Sequence, residues 1–367
     1  MCLHPTDNLS RPRHDTKPLG AIALGIPSSG SLETLILRPE ASVTQSSATP
    51  LTPDQLAQFH RDGFAGPFTL YSPQQMRDSF RELRPRLMDR RSSIYTVDGK
   101  VSDLSSIANY DRHLDVPFLA RHICQPGIVD RLQSILGPDI LCWRSEFFPK
   151  YPGSPGTSWH QASDFSAVTA SKKPQIEWTT GDHFRGALTV WTAFTESTVE
   201  NGCLQLMPGT HTKMYYDESK GMGYSQGADG NSPSSGDSRA FFGYDYRDLQ
   251  VESEWKPDES KALSLVMKPG EFMIFWSTLM HASHPHTSGD MRMGYTVRYL
   301  PTSARIFPYS DSLEEYGGKA SLENYGAVLV SGKDEYGHNE LRTETTLGHP
   351  FTTRAAPPCA APPSRPA

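Results

Sequence analysis

Met291-Arg292-Met293-Gly294-Tyr295-Thr296-Val297-Arg298 alternates between two kinds of side chain with a period of two residues, the signature of a β-strand with unlike faces. A strand over 293–299 follows, with Met293, Tyr295 and Val297 toward a core. Arg292 and Arg298, six residues apart, share the other face. Comparable short runs occupy 140–143, 146–148, 188–194, 204–207, 262–267 and 272–275, rich in β-branched and aromatic residues and bounded by Gly, Pro, Asn and Asp. So many short strands predict a sandwich or a barrel. The stretch 222–239, rich in Gly, Ser and Asp, reads as a lid, a binding loop or disorder.

Outside the strand region the texture changes. Residues 1–50 hold too little apolar sequence to bury a core and read as a disordered leader, and the Ala- and Pro-rich residues 353–367 read as a tail. One domain over 51–352 remains. It opens with two helix starts, Thr52-Pro53-Asp54-Gln55 and Ser72-Pro73-Gln74-Gln75, each with a capping hydroxyl, a first-turn proline and a reciprocal Gln. Gly63 is expected to stop the first helix and Pro85 to kink or weaken the second, whose apolar face is Met76, Phe80, Leu83 and Leu87.

The chain has 367 residues and a formal charge of -6, with 35 Lys plus Arg against 41 Asp plus Glu. No basic block is present to neutralise phosphates, so nucleic acid is not an expected partner. Five scattered cysteines without a C-x-x-C pair argue against a disulfide framework or a structural zinc site, and point to a reducing cytoplasm. No apolar run reaches the roughly 18 residues of a membrane span.

Of 13 histidines, two have distinctive settings: His160 in Trp159-His160-Gln161-Ala162, and His281 in Phe275-Trp276-Ser277-Thr278-Leu279-Met280-His281. His113, His122, His183 and His211 sit in polar or turn contexts and read as solvated or backbone-bonded imidazoles. A His-x-[Asp or Glu] pair joined by a distant His is the facial triad of non-haem Fe(II) oxygenases, which leaves positions open for 2-oxoglutarate and dioxygen. Here the carboxylate is missing, because Ala162 stands where it would be. A methyl group cannot ligate, and the space it leaves suits a halide that restores the lost charge. A metal-free barrel would show the same residues. Arg292 and Arg298 support the metal reading, since a buried guanidinium needs an anion. One could clamp the distal carboxylate of 2-oxoglutarate and the other hold the halide region. Asp164, four residues after His160, is expected to face a turn or solvent, and Pro285 counts against a zinc cluster of His281, His284 and His286.

Longer segments carry a specific likeness. The stretch from Cys142 through Glu146, Phe148 and Lys150 to Gly153, together with Trp159-His160-Gln161-Ala162, Val190-Trp191-Thr192-Ala193, Asn201-Gly202-Cys203 and Phe241-Phe242-Gly243-Tyr244-Asp245-Tyr246-Arg247, resembles the syringomycin-type chlorinating enzymes of the phytanoyl-CoA dioxygenase-like group. The resemblance runs from about 52 to 352. It implies a mainly β (α+β) fold with a double-stranded β-helix, or jelly-roll, core and flanking N-terminal helices. It also implies an Fe(II)-, 2-oxoglutarate- and O2-dependent chlorination of an unactivated aliphatic carbon. His160 and His281 match the iron ligands, and Ala162 the residue that yields to chloride. Arg292, with Trp191 nearby, matches the 2-oxoglutarate clamp. Phe165, Thr189, Ser277 and Arg298 match the halide surroundings, and Glu146, Phe148 and Phe242 the substrate tunnel. The implied partner is an aminoacyl group, threonyl or similar, on a peptidyl carrier protein in nonribosomal peptide biosynthesis. Ala167 stands where the threonyl enzyme has Asn, a departure that weakens the implication of the same substrate. Arg77, Arg81, Arg84, Arg86, Arg90 and Arg91 are candidates for the basic patch an acidic carrier requires. A hydroxylase of the same fold, a halogenase of free small molecules and a non-catalytic barrel are the competing readings.

Overall fold

The computed structural model describes residues 50–95, 107–179, 186–223, 244–252, 254–315 and 318–355. The expected leader lies outside them, apart from residue 50. Thr52 caps α1 (Pro53–Asp62) reciprocally: its hydroxyl accepts from the Gln55 N–H, and the Gln55 side-chain oxygen accepts from the Thr52 N–H. Gly63 ends α1 at a φ of 85°, where an added Cβ would run into His211 and Leu279. After β1 (Phe64–Thr69), α2 (Pro73–Met88) opens on the same cap at Ser72 and buries Met76, Phe80, Leu83 and Leu87 as expected. Pro85 does not end α2; the helix runs on to Met88, because burial of Leu83 and Leu87 on either side offsets the missing hydrogen bond.

Helices α3 (Pro117–Ile123) and α4 (Pro126–Leu136) precede the strands. These are β2 (Ile140–Lys150), β3 (Thr157–His160), β4 (Ile176–Glu177), β5 (Leu188–Ala193) and β6 (Leu204–Leu206). Next come β7 (Leu263–Ser264), β8 (Glu271–Trp276), β9 (His281–Ser283) and β10 (Arg292–Pro301). The last are β11 (Arg305–Ile306), β12 (Ser312–Leu313), β13 (Ala320–Ser321) and β14 (Val328–Ser331). They form a six-stranded sheet in the order β1-β8-β5-β10-β2-β14, a four-stranded sheet β3-β9-β6-β7, and the small pairs β11-β4 and β12-β13. Among the described residues every pairing between these strands is antiparallel.

Several expected boundaries move. The runs 140–143 and 146–148 are one strand of 11 residues, in which all but one position is buried, so polarity alone hides its alternation. The run 262–267 shrinks to two residues, while β1 and β14, which edge the large sheet, and the short β3 and β9 have no clear sequence signal. The tail begins later than 353: the Arg354 N–H donates to Val330 O at 2.8 Å and its guanidinium holds Asp130 at 2.7 Å.

One face of the large sheet packs on the helices, with Phe147, Val190, Phe272, Met293, Tyr295 and Val297 against Phe59, Phe80, Leu83 and Ile128. The other face lines a cavity closed by residues of the four-stranded sheet. Between Arg298 and Tyr299 of β10 the register slips, and Trp143 of β2 has no partner there. This bulge turns Arg144, Glu146, Phe148 and Lys150 together toward the cavity, while Ser145 and Phe147 face the helices. Among the described residues no helix is long and apolar enough to cross a membrane. Cys124, Cys142 and Cys203 are free thiols.

Candidate active site

Three neighbouring strands form the cavity floor. Arg292 pairs with Lys150, Gly294 with Phe148, Thr296 with Glu146 and Arg298 with Arg144, while on the far side of β10 Thr296 faces Trp191 and Arg298 faces Thr189. The pleat therefore brings the two arginines of the opening octapeptide to one surface, as their spacing requires.

The opposite wall carries the histidines. His160 ends β3 and His281 begins β9, directly across the ladder from each other with ring centroids 4.0 Å apart, although 121 residues separate them in sequence. The His160 Nδ1 lies 2.8 Å from Ser158 O and the His281 Nδ1 lies 2.7 Å from Leu279 O. A carbonyl only accepts, so each Nδ1 carries the proton and each lone pair sits on Nε2. Burial, then the neighbouring His281, holds His160 well below its ordinary value, and burial lowers His281 to about 4. Two neutral imidazoles, oriented through a backbone carbonyl, are the donor set of a first-row divalent metal. Among the described residues no His, Cys, Asp or Glu completes a group of three.

Ala162 lines the cavity and is pinned by its backbone: its N–H donates to Ser277 O at 2.9 Å, and the Ser277 hydroxyl donates to Ala162 O at 2.7 Å. Ser277 thus borders the expected halide space, but its proton is committed to the backbone. Glu218 holds the next turn. Its carboxylate accepts from the N–H groups of Ser163, Asp164 and Phe165 at 2.6, 3.0 and 3.0 Å. Burial, then Asp164, pushes the Glu218 carboxyl up to about 8 against those three donors. Phe165 takes a left-handed φ of 60° and lays its ring 5.2 Å from the Arg298 guanidinium. No feature of the sequence marks Glu218; only the fold brings it to this loop.

Arg292 is buried. It donates to Gly202 O at 2.7 Å and Phe148 O at 3.2 Å, and lies 5.4 Å from the Trp191 ring centre. Its Nε has no partner, and among the described residues it meets no carboxylate. Burial drives the group down to about 10. Gly294 makes room for Trp191, whose ring an added Cβ would strike. A buried guanidinium with an unpartnered Nε and no carboxylate, in the same cavity as two imidazoles, fits the carboxylate of a co-substrate. Arg298 differs: it pairs with Glu146 at 2.6 Å, which joins a residue expected at the halide to one expected at the substrate. Arg144 pairs with Glu315 at 3.0 Å further along the same cavity, near Tyr110. Tyr246 lies over His160 with centroids 4.7 Å apart, and Phe148 and Thr189 also line the cavity.

Other expectations resolve as follows. Phe242, His183 and most of 222–239 lie outside the described residues. Asp164 accepts from the Ser166 N–H and hydroxyl and caps a turn, as expected. The His284 Nε2 meets Ser264 Oγ, and the His286 Nε2 meets Asp290 O, so neither joins His281. His113 and His122 are not solvated: both are buried, against Ser145 Oγ and between Tyr71 and Thr192 hydroxyls. The arginines of α2 are exposed, with Arg81 on Asp78 of its own helix. Lys150 and Tyr246 join the site without a role implied by the sequence; the period-two spacing Glu146, Phe148, Lys150 is the signal that places Lys150 on the cavity face.

The sequence profile described as phytanoyl-CoA dioxygenase matches residues 59–294. Among curated proteins, a phytanoyl-CoA dioxygenase domain-containing protein 1 homolog of Dictyostelium discoideum is 30% identical over 111 residues, 30% of this chain and 34% of its own. An ectoine dioxygenase of Bordetella parapertussis is 27% identical over 170 residues, 45% of this chain and 51% of its own. The chain thus spans between a third and a half of these relatives. Of solved structures, CytC3 with Fe(II) and alpha-ketoglutarate is 42% identical at a TM-score of 0.64, covering 83% of this chain and 98% of that one. The non-heme monooxygenase ThoJ, 20% identical at 0.54 with 80% and 88% covered, shares the fold.

Proposed function

This chain belongs to the phytanoyl-CoA dioxygenase family, and on that premise we propose that it chlorinates an unactivated aliphatic carbon of an aminoacyl group carried as a thioester on a peptidyl carrier protein. The observation that carries the reading is Ala162, held beside two neutral, lone-pair-exposing imidazoles by a backbone locked to Ser277. An iron(II) held by His160 and His281 would, together with 2-oxoglutarate and chloride, supply dioxygen-dependent oxidation that no side chain can perform. The two antiparallel sheets then form the halves of a double-stranded β-helix.

The chain's own residues set position. Arg292 and Trp191 orient the distal carboxylate of 2-oxoglutarate. Ala162 and Phe165 leave room for the halide, and Thr189 and Ser277 bound it. The Arg298–Glu146 pair couples that space to the substrate side, where Glu146 and Phe148 present a carboxylate and an apolar ring. A small displacement of the substrate carbon would change which atom it receives. The similarity to dioxygenases supports a second reading, hydroxylation.

Anaerobic reconstitution with iron, 2-oxoglutarate and chloride, followed by oxygen and a panel of aminoacyl carrier thioesters, separates the two by product mass. A chlorine isotope pair is the expected result. Hydroxylated product alone at saturating chloride would exclude chlorination. Reversing the charge of Arg77 and Arg81 is expected to slow turnover of carrier-bound substrate; unchanged turnover removes α2 from the docking surface.

A further inference from the structure

Lys150 ends β2 on the cavity face, across the ladder from Arg292, and is 6% exposed. An ammonium so buried is rare unless an anion accompanies it. Its single hydrogen bond among the described residues goes to Ser283 Oγ at 2.7 Å. That oxygen also accepts from the Thr157 N–H at 3.2 Å and donates to Thr157 Oγ1 at 2.8 Å, so it is saturated and the ammonium is fixed in direction. Among the described residues two of the three Lys150 N–H donors have no acceptor, and no carboxylate lies within ion-pair distance.

Two like charges have been placed side by side in a buried site. Each penalises the other, and Arg292 adds to the effect of burial in depressing the Lys150 ammonium. Gly202 serves both: its carbonyl accepts from Arg292, and its bare Cα, at a φ of 80°, makes space that any Cβ would take from the Lys150 stem. A shared anion between the cations would offset both charges.

We infer that Lys150 is the second cation of a two-point clamp on the distal carboxylate of 2-oxoglutarate, and that Lys150 with Arg292 selects a dicarboxylate over a 2-oxo acid that lacks the second carboxylate. The inference rests on the iron and 2-oxoglutarate reading of the cavity and is independent of chlorination.

The test is a binding measurement without turnover. Full-length wild type, Lys150→Met and Lys150→Arg are loaded anaerobically with Fe(II) and titrated with 2-oxoglutarate and, separately, with 2-oxovalerate, by calorimetry and by the charge-transfer absorption. Lys150→Met is expected to weaken 2-oxoglutarate by about tenfold to a hundredfold, the usual worth of a hydrogen bond to a charged group. It should leave 2-oxovalerate within twofold, and Lys150→Arg should recover part of the loss. Equal weakening of both ligands would make Lys150 a merely structural residue, and unchanged 2-oxoglutarate binding would remove it from the site; either overturns the inference. A wild type that binds neither ligand overturns the functional reading, and the clamp with it. Should Lys150→Met fail to fold, Ser283→Ala, which loosens the ammonium without removing it, should weaken 2-oxoglutarate about threefold and spare 2-oxovalerate.

Discussion

At one end of the cavity Arg292 and Lys150 are buried without a carboxylate among the described residues; at the other, Arg144 and Arg298 each hold one, Glu315 at 3.0 Å and Glu146 at 2.6 Å. All four cations project from two adjacent strands on the same face. Pairing, rather than burial, is what separates them. A balanced ion pair is a finished piece of scaffold, with its desolvation offset from within the chain. An unbalanced one is costly unless a ligand completes it, and the ligand it selects is an anion. His160, His281 and Ala162 line the same cavity, and among the described residues no carboxylate joins the two imidazoles to make a third metal ligand. Glu218, bound to the loop that follows Ala162, is satisfied by three backbone N–H groups and shapes that loop instead.

The contrast can be broken most severely by putting an acid into the acid-free end. Ala162→Asp is expected to lower chlorinated product by about a thousandfold, some 4 kcal/mol in barrier terms, as the new carboxylate takes the halide's place. Mass spectrometry at saturating chloride checks it, and undiminished chlorination would remove Ala162 from the site. Removing an acid from the balanced end should be felt as stability instead. Glu315→Gln leaves Arg144 buried and uncompensated and should cost about 3 kcal/mol in urea unfolding, while the Arg144→Met, Glu315→Leu double variant recovers most of it.

Removing a cation from the acid-free end should have the opposite sign. Without ligand, Lys150→Met is expected to raise stability by about 1 kcal/mol, because an unpaired charge leaves the interior. With saturating Fe(II) and 2-oxoglutarate the order reverses, since tighter binding stabilises the wild type more. A variant less stable in both states would mean that Lys150 is paired after all. The smallest expected effect is at Glu218: Glu218→Gln loses part of the loop's anchoring and should raise the chloride concentration for half-maximal chlorination about threefold, with iron affinity unchanged. A matching loss of iron affinity would point to general loosening.

Much of this was readable locally. The caps of α1 and α2 and the alternation of 291–298 are short-range properties, set by hydrogen-bonding reach and by the pleat, and the structure keeps them. Strand β2 looks like two pieces in the sequence because its polar residues, Arg144, Glu146 and Lys150, point into a cavity and not to water. Hydropathy reports the first shell of solvent, and a functional cavity imitates a loop. The polar contexts of His113 and His122 mislead for the same reason: both find hydroxyl partners inside the protein.

By itself the sequence determined which residue types were available and at what spacing: two arginines on one face of a strand, a histidine two positions before an alanine, a proline-led helix start. These depend on backbone period and side-chain chemistry alone. Only the tertiary structure decided that His160 would stand opposite His281, that Arg298 would be neutralised by Glu146 while Arg292 was not, and that Lys150 would share the uncompensated end. The reason is that charge balance in an interior is a sum over neighbours from distant parts of the chain, and no local pattern records which of them will arrive.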